Sequence, residues 1–281
     1  MIRARKRFGQ HFLEPVWVDK LIRAIDPQPD QTFIEIGPGR GALTRPLAAR
    51  ATAVFAHEID RDLASELRKA AIPNVTVVEG DFLETFPPPI LNPQAPIPSH
   101  CRFRVAGNLP YNVASPIMFK LVDAYLEGVP LVDATLMLQL EVAERLVAQA
   151  GTKTYGVLSI LIRHCANVDL LLKLPPGAFR PPPKVRSAVV RLNFHPPEPP
   201  VRDRQTFEQL VQTVFTHRRK TLANALRSWG QARGLSPGLS PGLSPSLSPS
   251  LSPGLSLDLS RRPETLTVAE FAALADVFSS P

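Results

Sequence analysis

The chain predicts an α/β fold, a doubly wound sheet followed by a small helical domain, on three observations. From residue 32 onward short apolar runs alternate with helical patterns. A glycine-rich loop, Glu35-Ile36-Gly37-Pro38-Gly39-Arg40-Gly41, joins the first run to the first of those patterns. After about Pro196 only helical patterns remain. Such alternation is the spacing of a sheet whose two faces are covered by helices.

Taken in order, strands are expected at residues 32–36, 52–57, 75–78, 103–106, 135–139 and 188–194, each a short apolar run. Helices are expected between them at 44–50, 61–71, 115–127 and 141–149. A proline-rich loop occupies 87–98, just before the fourth strand. Beyond the sheet, helices are expected at 206–216, 218–229 and 267–278. The domains expected are therefore 1–196 and 197–281, the second interrupted by an insertion at about 234–260. That insertion repeats Gly or Ser, Leu, Ser, Pro from 234 to about 256. A proline at every fourth position excludes helix and leaves extended or turn-like backbone, a low-complexity spacer.

With 281 residues, 44% hydrophobic and 20% charged, the composition is that of a folded soluble protein. Cys101 and Cys165 have no close partner and the six histidines are scattered, so reduced thiols and no metal are expected. No segment approaches the roughly 20 apolar residues of a membrane helix and no leader-like run follows the basic start, which points to the cytoplasm. The net charge of +7 is unevenly placed. Residues 1–13 carry Arg3, Arg5, Lys6 and Arg7 without an acid, and residues 180–233 carry eleven basic against three acidic side chains. Two basic segments thus flank an acidic body, which favours a polyanion partner, with nucleic acid the default.

The glycine loop follows a strand and precedes a helix, where backbone can approach a nucleotide-type ligand. Glu58 ends the second strand, 21 residues after Gly37, where a carboxylate can take the hydroxyls of a ribose. Asp81 follows the third strand and can accept from an adenine amine. Gly37, Gly39 and Ala42 also satisfy the loose dinucleotide pattern, so a nicotinamide cofactor and S-adenosylmethionine both fit. The fourth strand leads into Asn108-Leu109-Pro110-Tyr111. These four residues read either as a turn or as a clamp for the exocyclic amine of a base. In the second reading Asn108 and the Leu109 carbonyl accept the two amine hydrogens. Pro110 restricts the residue before it, and Tyr111 stacks on the base. An oriented amine needs a methyl donor rather than a hydride, which favours S-adenosylmethionine.

Five ordered motifs then resemble one family: Arg5-Lys6-Arg7-Phe8-Gly9-Gln10-His11-Phe12-Leu13, the Glu35 to Gly41 loop, the stretch from Gly107 to Ser115, Phe179-Arg180-Pro181-Pro182-Pro183-Lys184-Val185, and His217-Arg218-Arg219-Lys220-Thr221-Leu222. Together they are similar to the ribosomal RNA small-subunit adenine N6,N6-dimethyltransferases. The resemblance implies a Rossmann-like S-adenosylmethionine-dependent methyltransferase domain with a small helical domain that binds RNA and subunit. It also implies dimethylation of two adjacent adenosines in a hairpin near the 3′ end of 16S RNA, by a monomer that binds small-subunit ribosomal RNA and the immature small subunit. Carried over by position, His11, Leu13, Gly37, Glu58, Asp81 and Asn108 line the donor site. Tyr111 and Phe179 sandwich the base, while Arg5, Lys6, Arg7, Arg218, Arg219 and Lys220 meet the RNA. The family often has Asn at the position of His11, and the Leu-Ser-Pro insertion is the larger departure. A second methylation on one nitrogen further implies slack around Asn108 or Leu109.

Competing readings are a macrolide-resistance methyltransferase acting on large-subunit RNA, a non-catalytic ribosome assembly factor and a nicotinamide oxidoreductase.

Overall fold

The computed structural model describes residues 11–87, 102–232 and 257–279. Arg5, Lys6 and Arg7, most of the proline-rich loop and the Leu-Ser-Pro repeat lie outside the described residues. In chain order the elements are β1 (Phe12–Leu13), α1 (Pro15–Ile25), β2 (Thr32–Ile36), α2 (Thr44–Ala48), β3 (Ala53–Glu58), α3 (Arg61–Lys69), β4 (Val75–Glu79) and α4 (Phe82–Thr85). They continue as β5 (Phe103–Asn108), α5 (Ala114–Leu126), β6 (Leu131–Gln139), α6 (Leu140–Leu146), α7 (Val157–Arg163), β7 (Ala166–Leu174), β8 (Phe179–Arg180), β9 (Ser187–Phe194), α8 (Arg204–Thr216), α9 (Leu222–Ala232) and α10 (Val268–Phe278).

Seven strands form one sheet in the order β4-β3-β2-β5-β6-β9-β7. β4, β3, β2, β5 and β6 run parallel; β3, β2, β5 and β6 are largely buried because helices cover the sheet, whereas no residue of the edge strand β4 is fully buried. β9 returns antiparallel to β6, so the sheet is mixed rather than wholly parallel. The chain moves outward from β2 to β3 and β4, then crosses to β5 on the other side of β2. This reversal places a crevice between the carboxyl ends of β2 and β5, where open α/β sheets take their ligands. Gly107 is needed there. A Cβ on it would stand 2.7 Å from the Ile36 carbonyl oxygen, so only glycine lets β5 lie against β2 at this point.

α1 begins with Pro15, whose missing N–H costs nothing at a first turn, and buries Val18, Leu21, Ile22 and Ile25 in the core. A second, two-stranded ribbon pairs β1 with β8, Phe12 opposite Arg180 and Leu13 opposite Phe179.

The described structure divides into two compact units, residues 1–143 with 167–194 and residues 144–166 with 195–281. Residues 144–166 therefore group with the helical unit rather than with the sheet, as a cut at residue 196 would have it. The reason lies in their partners: the Gly151 amide donates to the Glu264 carbonyl, and the His195 amide to that of Cys165. Within this unit α8 is capped by Asp203, and α10 opens on a capping box of Thr267 and Glu270. The apolar faces of α8, α9 and α10 bury Phe207, Leu210, Val214, Leu226, Trp229 and Phe271. Among the described residues no helix is long and apolar enough to cross a membrane.

Candidate functional site

The crevice between β2 and β5 is lined from three sides: by the glycine loop after β2, by Glu58 and Ile59 after β3, and by Asn108 to Tyr111 after β5. The segment from His11 to Leu13 closes it. Gly39 sits at φ +57 with the Phe12 ring 3.3 Å from where a Cβ would be, so a side chain there would strain the backbone and press on that ring. Arg40 lies over the other reach of that ring, 4.1 Å from its centre. β1 is thereby fastened across the loop.

Glu58 is 4% exposed and both its oxygens are engaged by backbone, one accepting from the Gly39 amide and one from the Asp60 amide, each at 2.9 Å. It shapes the loop as well as lining the crevice. Burial pushes its carboxyl upward, and those amides oppose the shift. Ile59 beside it is 43% exposed, an apolar surface in a polar setting that sequence reasoning missed. Asp81 caps α4 through one carboxylate oxygen, which accepts from the Leu83 amide at 2.9 Å.

Glu35, also missed, is 1% exposed and lines the crevice floor. Burial pushes its carboxyl up to about 8, only partly offset by the Thr44 hydroxyl and reinforced by Glu58. A pKa raised on folding contributes stability that is complete below the ordinary value of 4.5 and is lost as pH rises toward 8. Glu35→Gln is therefore expected to match the native chain near pH 5 and to be more stable near pH 8, by up to about 4 kcal/mol. Urea unfolding at both values checks this; an equal difference at both would contradict it. His57 slopes the other way, since burial lowers it to about 4 and it loses stability as pH falls below 6.5.

At the end of β5 the Asn108 amide nitrogen donates to the His11 carbonyl at 2.9 Å. That bond orients the amide and reserves Oδ1 as an acceptor. The Leu109 amide is tied to the Met137 carbonyl at 3.0 Å, which fixes the strand end ahead of Pro110. Tyr111 is held through its hydroxyl to Ser187 Oγ at 2.7 Å, and burial raises its pKa. Its ring lies against the His11 ring, with centroids 5.9 Å apart and planes 22° from parallel.

Phe179, expected opposite Tyr111, is 2% exposed and belongs to the core cluster that holds Leu21, Ile25 and Ala178. β8 turns it inward because the ribbon with β1 alternates faces, leaving Arg180 outward in an ion pair with Glu14.

Set against known proteins, residues 1–236 match the family Ribosomal RNA adenine dimethylase. The chain belongs to that family. This dimethylase is accordingly a methyltransferase on a Rossmann-like sheet. It is 41% identical over 274 residues to a protein of Methylibium petroleiphilum named Ribosomal RNA small subunit methyltransferase A, covering 97% of this chain and 95% of that one. The protein of the same name from Alcanivorax borkumensis is also 41% identical, over 99% and 91%. A dimethyladenosine transferase from Plasmodium falciparum superposes with TM-score 0.73 at 26% identity, over 94% of this chain and 96% of that one. The 23S rRNA methyltransferase ErmE gives 0.60 at 28%, over 95% and 98%.

The dimethylase's second basic segment is only partly open. Arg218 pairs with Glu264 at 2.7 Å and donates to the Thr152 and Lys153 carbonyls, whereas Arg219 and Lys220 are exposed. All three lie in the turn before α9, not on a helix. Among the described residues no group of three or more metal-ligating side chains is found.

Proposed function

We propose that this chain transfers methyl groups from S-adenosylmethionine to N6 of two adjacent adenosines in a hairpin near the 3′ end of 16S ribosomal RNA, giving N6,N6-dimethyladenosine. The observation that carries the reading is Asn108, an amide whose nitrogen is already bound and whose oxygen is therefore committed to accept, standing beside Tyr111 at the mouth of the crevice. A small-subunit rather than large-subunit target follows the names of relatives at 41% identity over nearly the whole chain.

The residues fit the donor. The glycine loop leaves backbone exposed at the N-terminus of a helical segment, Glu58 keeps carboxylate lone pairs beside a ribose position, and Ile59 offers an apolar face for adenine. His11 and Leu13 close the site, Gly37 and Asn108 line it beside them, and Asp81 would accept from the adenine amine. When bound, S-adenosylmethionine supplies an electrophilic methyl that an amine can take without a strong general base.

Asn108 Oδ1 and the Leu109 carbonyl accept the N6 hydrogens and turn the nitrogen lone pair toward the donor side. Tyr111 stacks on the extruded base, a contact worth roughly 1 to 3 kcal/mol. On the second round one acceptor must release its hydrogen bond. The Leu109 carbonyl is the fixed one, since its own amide is tied to β6, so Asn108 supplies the slack by turning about its side-chain bonds. Arg219, Lys220, Arg5, Lys6 and Arg7 would hold phosphates, and the chain would work in the cytoplasm as a monomer on immature subunits.

The test is nucleoside mass spectrometry after incubating the protein and donor with unmethylated small subunits, large subunits and free hairpin. Dimethyladenosine confined to small-subunit RNA is the expected result. Product on large-subunit RNA alone would overturn the target, and no product at all would overturn the activity.

A further inference from the structure

We propose that Glu35 stands as the uncharged acid in the free protein and releases its proton to solvent when the ammonium group of a bound donor comes to rest beside it. The proposal deepens the methyl-transfer reading and rests on its donor. An orphaned atom carries it. Glu35 is 1% exposed and lines the crevice, and its Oε2 is buried with no hydrogen-bond partner among the described residues. Native folds rarely leave such an atom unmet, and in a cleft it marks where a ligand's N–H belongs.

The groups that face Glu35 bring it no counter-charge. β3 contributes Glu58, a second buried acid, and α2 the Thr44 hydroxyl. On β5 its register partner is Ala106, and Arg104, two residues further in, gives all five of its N–H donors to Asp133, Gln31 and the end of α1. α1 turns Val18 and Leu21 toward the crevice, the closing segment brings His11, and Arg40 lies over the Phe12 ring. Burial with Glu58 beside it holds the Glu35 carboxyl up at about 8, so the acid prevails at neutral pH. A cation set against Oε2 reverses that preference, because it favours the carboxylate and offers it an N–H. The donor's amino-acid end is placed to do so. Glu35 stands two residues before Gly37, where the loop's backbone would take the donor's carboxylate, and the ammonium hangs from the same carbon. Only the Glu35 O–H bond is broken: the proton passes to buffer and the carboxylate accepts from the ammonium. Donor affinity thus rises with pH below about 8, the value in the free protein.

Calorimetric titration of the full chain with donor, near pH 6.5 in two buffers of different ionisation enthalpy, counts the protons. Release of about one proton per donor is expected from the native protein and about none from Glu35→Gln. Affinity should rise about tenfold between about pH 6 and 7 in the first and stay flat in the second. That window lies below the titration of the donor's own amine, at about 7.7 to 8.0. S-adenosylhomocysteine, which keeps the ammonium and lacks the sulfonium, should release the same proton, and methylthioadenosine, which lacks the amino-acid end, none. A native protein that binds donor without releasing a proton overturns the proposal and leaves the methyl-transfer reading standing. Undiminished release in Glu35→Gln, or release on methylthioadenosine, also overturns it. A native protein that binds no donor overturns the S-adenosylmethionine reading, and the proposal with it.

Discussion

Asn108→Ala is expected to lower the rate of methyl transfer by at least about a hundredfold while the protein stays folded and donor binding weakens without being lost. The figure is that of misplacing a reacting group by about an ångström, because positioning is what this residue supplies. The Asn108 amide nitrogen is held 2.9 Å from the His11 carbonyl, so removing it frees both the amine and the segment that closes the crevice. Asn108→Asp sharpens the point. A carboxylate keeps an acceptor but cannot donate to His11, and two oxygens would face each other where a hydrogen bond now stands. It too should be slow. Single-turnover transfer to unmethylated small subunits measures both, and a native rate constant in Asn108→Ala would remove Asn108 from the mechanism.

The second large effect is on stability. Arg104, four residues before Asn108 on the same strand, is 7% exposed and uses all five of its N–H donors. Two go to the carboxylate of Asp133 on β6 at 2.8 and 2.7 Å. The others go to the Ile25 and Asp26 carbonyls at the end of α1 and to the Gln31 side chain. Arg191 adds a contact to Asp133 at 3.5 Å and donates to the Ala24 and Ile25 carbonyls. Arg104→Ala strands a buried carboxylate and the carbonyls at a helix end, so a loss of about 3 to 5 kcal/mol is expected in urea unfolding. Replacing both partners, Arg104→Met with Asp133→Leu, should cost less than either single change, because no charge is left unpaired. A loss under about 1 kcal/mol in Arg104→Ala would show that solvent reaches the cluster.

The parallel strands and the glycine loop could be read in advance because they depend on neighbours in sequence. Apolar runs of four or more residues bounded by helical periodicity identify buried strands, and β2 falls at its expected residues. β7 and α7 were not expected. The pattern of β7, buried only at its ends, carries no clear period, and α7 is seven residues long, too short to show one. The antiparallel return of β9 could not be read either, since a strand's own sequence does not state its direction.

At the site the division is similar. Asn108 to Tyr111 stood out in the sequence because Pro110 constrains its predecessor and because the side chains offer acceptors and a flat face, and the fold brings all four to the crevice. For Phe179 the residue type leaves two readings, a wall or a core residue, and the pairing of β8 with β1 is what sets the direction of its ring. Arg218, expected to meet RNA from its charge and its motif, pairs with Glu264, 46 residues on, a partner that neither announces.

What the sequence determined by itself was the chemistry on offer: a glycine loop for backbone approach, a carboxylate for a ribose, an acceptor and an aromatic ring for a base amine. These are properties of residue types and short-range geometry. The tertiary structure decided which of those groups were still available. The bonds that settled it join Asn108 to His11 across 97 positions, Tyr111 to Ser187 across 76 and His11 to Pro181 across 170. No local pattern encodes such partners, because a hydrogen bond is satisfied by whatever the fold brings within reach.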